Sequence, residues 1–365
     1  MSLNAIAQAR DSDLMQQALQ LAAQGLYTTT PNPRVGCVLV AATGEVVGQG
    51  YHVRAGEGHA EVNALAMAGE RAKGATAYVT LEPCDHHGRT GPCSQALIDA
   101  GVIEVVYAMQ DPNPLVAGKG LARLRRAGVA VRGPVCEAEA VALNPGFIKR
   151  MQTGLPFVRC KLAMSLDGRT AMANGESQWI TGPTAREEVQ KWRARSCSII
   201  TGASTVLADN PQLTVRSPTL GANPRQPLRI VIDSQLRTPV DAHIYAAPEQ
   251  SVVVTTQAVK AHGAVKAWQF DGKKVDLAAL IRRLGELGHN EVLIEAGPTL
   301  AGAFLAAGLI DELVIYMAGK LMGSTAKPLF ELPLAHMADS IALNIISVEP
   351  VGDDWRVTAK PIRAV

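Results

Sequence analysis

The sequence predicts two α/β domains in tandem, residues 1–153 and 154–365. Three observations predict them. A chain of 365 residues is too long for one ordinary hydrophobic core. Short apolar runs of strand length alternate with helix-forming runs in both halves, which is the pattern of α/β layers. Between the halves stand two clusters of breakers, Asn144-Pro145-Gly146 and Thr153-Gly154-Leu155-Pro156, around the basic pair Lys149-Arg150.

In the first domain, Val35-Gly36-Cys37-Val38-Leu39-Val40 reads as a buried strand. After Gly58, the run from His59 through Ala68 is a good helix former with apolar residues at helical spacing. Residues 75–81 read as a second strand, with Cys84 just past its end. Cys93 follows Pro92 and opens a short helix closed by Gly101. Strand, helix and strand follow at residues 102–109, 118–128 and 129–133. In the second domain the alternation starts afresh with Phe157–Ala163, and no internal repeat relates the halves. Residues 217–227 are rich in Pro, Gly and Ser and read as a surface loop, and 241–250 read as another loop.

The chemistry is concentrated in His59-Ala60-Glu61, Pro83-Cys84 and Cys93. One His and two Cys make a three-ligand zinc set, and three protein ligands leave the fourth position open for water, as in catalytic rather than structural sites. Zinc deaminases pair such a set with a glutamate that is not a ligand but moves protons, so that water attacks an amidine-like ring carbon and ammonia leaves. His59 and Glu61 fall in the first turn of their helix, where the dipole favours negative charge. Two helix starts and a strand end are therefore expected to converge on one metal. His86 and His87 lie between the cysteines, so a closed four-ligand site is the structural alternative. The eight-residue gap between Cys84 and Cys93 departs from the C-x-x-C spacing of nucleoside and nucleic-acid deaminases.

Composition excludes several classes. Hydrophobic content of 47% with 19% charge describes an ordinary globular protein, and the net charge of +2 leaves no strong basic footprint. Aromatic residues are 4% of the chain, too few for platforms that stack single-stranded nucleic acid. Charges at Arg10, Asp11 and Asp13 interrupt any signal-peptide core, and no apolar run is long enough to span a bilayer. Six scattered cysteines form no disulfide framework, so a reducing, cytoplasmic setting is expected.

The second half lacks G-x-G-x-x-G. Instead, the apolar run Val292-Leu293-Ile294 leads through Glu295-Ala296 to Gly297, and Pro298 opens a helix of small residues. Free backbone N–H groups at such a start suit a phosphate, although most turns of this kind bind nothing. A second segment, Thr201 through Arg216, also begins at a strand end with small residues and hydroxyls. On spacing alone it reads equally well as a polar helix cap.

The run from Glu82 through Cys93 resembles one family closely. The family comprises bifunctional riboflavin-biosynthesis proteins, a diaminohydroxyphosphoribosylaminopyrimidine deaminase fused to a 5-amino-6-(5-phosphoribosylamino)uracil reductase. Pro31-Asn32-Pro33, Gly50-Tyr51-His52, Asp111-Pro112-Asn113-Pro114 and Gly118-Lys119-Gly120 match it too, as do Lys161–Arg169 and Gly175–Thr181. The resemblance implies a cytidine-deaminase-like three-layer α/β/α domain followed by a dihydrofolate-reductase-like α/β domain. It implies zinc on His59, Cys84 and Cys93, with Glu61 as proton shuttle and Asn32 against the pyrimidine. It implies NADPH on Ala163, Trp179, Thr205, Asp209 and Ser234, and on Gly297, Pro298, Thr299, Leu300, Ala301, Gly302 and Ala303. The ribosyl-phosphate substrate would rest on Ser177, Arg193, Leu213, Arg216 and Glu295, with the two arginines suited to a phosphate monoester. Lys161 and Asp167 are candidates for polarising the sugar carbon or relaying a proton. A small-molecule enzyme is expected, with no nucleic acid or membrane partner, assembled as a dimer or tetramer. The alternatives are a nucleic-acid or nucleoside deaminase with a non-reductase second domain, and a binding protein with structural zinc.

Overall fold

The computed structural model describes residues 3–85, 91–114, 116–222 and 224–362. The chain divides into two compact units, residues 1–154 and 155–365.

The first unit runs α1 (Leu3–Gln24), β1 (Gly36–Val40), β2 (Val46–Tyr51), α2 (Ala60–Ala68), β3 (Thr76–Val79), α3 (Cys93–Asp99), β4 (Glu104–Tyr107), α4 (Lys119–Arg126), β5 (Ala130–Arg132), α5 (Glu137–Leu143) and α6 (Pro145–Thr153). Its sheet has the order β2-β1-β3-β4-β5, antiparallel at β2-β1-β3 and parallel at β3-β4-β5. Glycines show how the layers close on it. A Cβ at Gly36 would meet the Ala18 carbonyl at 1.9 Å, so α1 lies against that face. A Cβ at Gly50 would meet the Ala60 carbonyl at 2.5 Å, so α2 lies against the face of Gly50. Gly50 pairs with Cys37, the neighbour of Gly36, and successive strand residues point to opposite faces. The two helices therefore sandwich the sheet, and the small residues of both strands let them approach closely.

The second unit contributes β6 (Phe157–Ser165), β7 (Arg169–Ala171), α7 (Pro183–Arg195), β8 (Ser198–Gly202), α8 (Ala203–Asp209), β9 (Leu228–Ile232), β10 (Ser251–Thr255), β11 (Ala261–His262) and β12 (Val265–Gln269). It ends with α9 (Leu277–Glu286), β13 (Glu291–Ile294), α10 (Pro298–Ala306), β14 (Glu312–Ala318), β15 (Lys327–Pro328), β16 (Leu343–Val351) and β17 (Asp354–Pro361). The main sheet has the order β11-β12-β10-β9-β8-β13-β6-β14-β17-β16. Its seven strands from β12 through β14 are mutually parallel, and β11, β17 and β16 pair antiparallel at the edges. The parallel strands bury both faces. Ile200, Ile230, Val292 and Ile294 enter one core, while Ile199, Val231 and Leu293 enter another.

One expectation needs correction. Residues 241–250, expected as a loop, hold two short 3₁₀ helices, His243–Tyr245 and Pro248–Gln250, and the first places Ile244 and Tyr245 in the second of these cores. Among the described residues, no helix is long and apolar enough to cross a membrane.

Candidate active sites

His59 is the N-cap of α2, Cys93 is the first residue of α3, and Cys84 lies just beyond β3. One ligand atom from each falls within 4.8 Å of the others. His59 Nδ1 is 3.5 Å from Cys84 Sγ and 3.3 Å from Cys93 Sγ, and the Cys93 amide donates to Cys84 Sγ at 3.4 Å. The Cys84 thiol is pulled down to about 4, first by its bond with Cys93 and then by His59, against the opposing effect of burial. A ready thiolate, a second thiol and an imidazole nitrogen form a soft donor set that fits zinc. His86 and His87, the further candidate ligands, lie outside the described residues.

Glu61 points into the same space from the first turn of α2 and is only 3% exposed. Burial pushes its carboxyl up to about 7, and the Cys84 thiolate adds to the rise. Such a group can both take and give a proton near neutral pH. Asn32 reaches this centre through His52: its side-chain amide is 3.0 Å from His52 Nε2, and the His52 ring meets that of His59 edge to face at 5.2 Å. His52 Nδ1 is held by the Gly58 carbonyl at 3.1 Å, and the Asn63 amide donates to the Tyr51 carbonyl at 2.8 Å. Sequence reasoning quoted His52 but gave it no role, because no ligand spacing tied it to the metal.

In the second unit, the carboxyl ends of β6, β8, β9 and β13 open into a cleft of about 1230 Å³. Ligands of parallel α/β sheets collect at such ends. Ala163, Ser177, Trp179, Arg193, Thr205, Asp209, Leu213, Arg216, Ser234 and Glu295 all line it. So do Gly297, Pro298, Thr299, Leu300 and Ala303. Ala301 and Gly302 of the same run do not: Ala301 is fully buried, and a Cβ at Gly302 would meet the Glu331 carbonyl at 2.4 Å. They pack α10 against its neighbour. The first N–H to be bonded within α10 is that of Ala301, to Gly297 O, so the Thr299 and Leu300 amides at the mouth have no partner within the helix. This free N-terminus in a long cleft suits the phosphates of a dinucleotide.

The polar residues of the cleft divide sharply. Arg193 and Glu295 form a bidentate pair at 2.7 and 2.9 Å, and Arg193 also donates to the Thr214 carbonyl. Burial would raise the Glu295 carboxyl, but Arg193 outweighs it and holds the group below the ordinary carboxylate value. Glu295 and the Thr214 carbonyl thus engage three of the five Arg193 N–H groups at the cleft wall. Arg216 is exposed and lines the cleft, fixed through its backbone N–H to Gln190 and through its guanidinium to Gln212 at 3.2 Å. Ser177 donates to Asp209 at 3.2 Å. Trp179 is 64% exposed, with Arg186 stacked over its ring at 4.5 Å. The carbonyl of Ser234 accepts from Thr255, Thr256 and Gln257, which fixes the turn after β9. Lys161 stands in the cleft beside this pair, its ammonium disfavoured by burial and favoured by Glu295. Asp167 does not line the cleft: its carboxylate accepts from Met322 and Gly323 amides and from Ser165, closing a turn.

Comparison with known proteins covers both units. The cytidine and deoxycytidylate deaminase zinc-binding region matches residues 8–109, and the RibD C-terminal domain matches residues 156–357. The riboflavin biosynthesis protein RibD of Escherichia coli K12 is 53% identical, over 94% of this chain and 98% of its own. That of Haemophilus influenzae is 48% identical over 96% and 98%. Acinetobacter baumannii RibD superposes with a TM-score of 0.91 at 46% identity, over 98% of this chain and all of its own. A Thermotoga maritima diaminohydroxyphosphoribosylaminopyrimidine deaminase/5-amino-6-(5-phosphoribosylamino)uracil reductase reaches 0.89 at 31%, with the same coverage. A zinc-binding deaminase half and a reductase half are thus matched in one polypeptide, and the chain belongs to the RibD family of bifunctional riboflavin-biosynthesis enzymes, which use zinc and NADPH.

Proposed function

We propose that the first unit, ending near residue 153, deaminates 2,5-diamino-6-(5-phosphoribosylamino)pyrimidin-4-one. We further propose that the second reduces the ribosyl group of the resulting 5-amino-6-(5-phosphoribosylamino)uracil to ribityl. The observation that carries the first step is the convergence of His59, Cys84 and Cys93 within 4.8 Å beside the buried Glu61. Those three residues would hold the metal, and zinc bound there would supply a water acidified towards a pKa of about 7. Glu61 would accept a proton from the attacking water and give one to the amino group that departs as ammonia, a contribution of roughly 10²–10⁴-fold. Asn32, oriented by His52, hydrogen-bonds the pyrimidine edge.

For the second step, NADPH supplies the hydride to C1′. The amides of Thr299 and Leu300 at the start of α10 would receive its phosphates, and Ala163, Trp179, Thr205, Asp209 and Ser234, which line the cleft, would complete its bed. Ser177 and the backbone at Leu213 contact the substrate, and Arg216 takes its phosphate by charge-assisted hydrogen bonds. Arg193 orients Glu295, whose carboxylate faces the ribose hydroxyls together with the Lys161 ammonium. Among the described residues the cysteines form no disulfide, as suits a cytoplasmic enzyme. Exposed Ile345, Ile346, Val348 and Trp355 on the β16-β17 hairpin suit a homo-oligomer.

Ammonia release and NADPH oxidation, measured together on the diaminopyrimidine ribosylphosphate, test the reading. Both signals are expected, with oxidation waiting on deamination. Ammonia without oxidation would refute the reductase assignment, and oxidation without ammonia would refute the order of steps.

A further inference from the structure

The segment Asp111-Pro112-Asn113-Pro114 with Gly118-Lys119-Gly120 takes no part in either reaction as described above. Its surroundings assign it one. Cys84 is flanked by two acidic residues, Glu82 and Asp85, and both are tied to the stretch from Asp111 to Arg123. Glu82 is 3% exposed and spends both carboxylate oxygens on backbone amides of that stretch. Its Oε2 accepts from Asp111 at 3.2 Å and Gly118 at 2.9 Å, and its Oε1 accepts from Gly120 at 3.0 Å and Leu121 at 3.3 Å. On the other side of the ligand, Asp85 accepts from Arg123 at 2.8 Å and from Ser94, the residue after Cys93, at 2.7 Å. Arg123 reaches on to Gln95 at 2.6 Å. The contact is also tight: a Cβ at Gly120 would meet the Pro83 carbonyl at 1.9 Å, so no side chain fits there.

We infer that Asp111 and residues 118–123 form a clamp that fixes both cysteine ligands, with Glu82 and Asp85 as its handles. The physical reason is the flank of each ligand. Cys84 lies on irregular chain beyond β3, with no ladder of its own to fix its Cβ direction. Its neighbours are instead bound to α4 and the loop before it, and the same helix holds Ser94 and Gln95 through Asp85 and Arg123. Thiolates left mobile would spread beyond the separation a tetrahedral ion needs. Residues behind the ligands commonly change metal affinity by about 10–100-fold. Glu82 and Asp85 are positioning residues, since they touch neither metal nor substrate.

The inference rests on His59, Cys84 and Cys93 being the zinc ligands, so zinc content of the full-length wild type is measured first. Zinc release to a chromogenic chelator is then followed in Glu82→Gln, Arg123→Ala and a control, Val105→Ala, which opens the core of the first unit without touching either handle. Glu82→Gln turns an acceptor into a donor facing backbone N–H groups. It is expected to release zinc about 10–100-fold faster than wild type, Arg123→Ala less so, and Val105→Ala within about twofold. Release from Glu82→Gln no faster than from the control would overturn the clamp. If Glu82→Gln does not fold, the wild type alone decides. Coupling is reciprocal, so zinc should slow hydrogen exchange at the Gly118, Gly120 and Leu121 amides at least about tenfold relative to the stripped protein. Exchange blind to zinc would overturn it equally. A wild type that binds no zinc would overturn the ligand assignment itself, and the clamp with it, whereas bound zinc with unchanged release overturns the clamp alone.

Discussion

The two sites are built by opposite strategies. The metal centre is small and compact: three donor atoms lie within 4.8 Å of one another, and the segments carrying them are cross-bonded from both sides. The reductase cleft is about 1230 Å³ and is lined by residues from many segments. Arg193 and Glu295 form a bidentate pair in it, and Ser177 and Asp209 a single bond. The difference teaches what each chemistry demands of the fold. A metal ion is bound by a few atoms whose directions must be fixed in advance. A dinucleotide and a sugar phosphate bring their own extended surfaces, and the fold supplies amides, small residues and one or two charges along a trough.

If the sites are separate, the largest effect is one-sided. Cys84→Ser should strip zinc and reduce ammonia release to background, while NADPH oxidation with the deaminated substrate stays at the wild-type rate. Equal loss of both activities would break the comparison. Next in size, Glu295→Ala strands the Arg193 guanidinium, 11% exposed, without its partner. Removing one partner of a buried pair costs about 3–5 kcal/mol. Unfolding should show the second unit destabilised, reduction lost and deamination retained. The same pair sets a pH signature. Because the Glu295 carboxyl lies below its unfolded value of 4.5, its stabilisation is fully present above pH 4.5 and fades as pH falls further. Glu295→Gln should flatten that acid limb of the thermal midpoint, and an unchanged limb would contradict the pairing. Smaller still, Arg216→Ala should raise the KM for phosphorylated substrate roughly 10-fold, the worth of a charge-assisted bond, with folding unaffected. Added salt should narrow the gap between variant and wild type. A KM unchanged by the substitution would move the phosphate elsewhere.

The same contrast explains how much could be read from the chain. His59, Glu61, Cys84 and Cys93 are legible because metal chemistry needs particular residue types, and helix starts and strand ends mark where they fall. The layering of α1 and α2 on β1 is foreshadowed by Gly36, Gly48 and Gly50, although their meaning emerges only when the opposing carbonyls are seen. The cleft is not legible from residue types. Ala163, Leu213 and Ser234 line it with residue types that carry no chemical signature, and only family resemblance pointed to them. Tertiary pairing also adds partners that no spacing announces: Glu295 engages part of the Arg193 fork, and the Met322 and Gly323 amides bind the Asp167 carboxylate. His52 and Glu82 were overlooked because each acts through another residue, which no spacing reveals.

The central claim is that deamination depends on Glu61 as a proton carrier at a zinc centre independent of the cleft. Glu61→Gln tests it most directly, in one preparation assayed for zinc content, ammonia release and NADPH oxidation on the deaminated substrate. The account predicts zinc retained at the wild-type level, ammonia release down by roughly 10²–10⁴-fold, and reduction unchanged. Zinc lost with the substitution, or reduction falling in step with deamination, would contradict it.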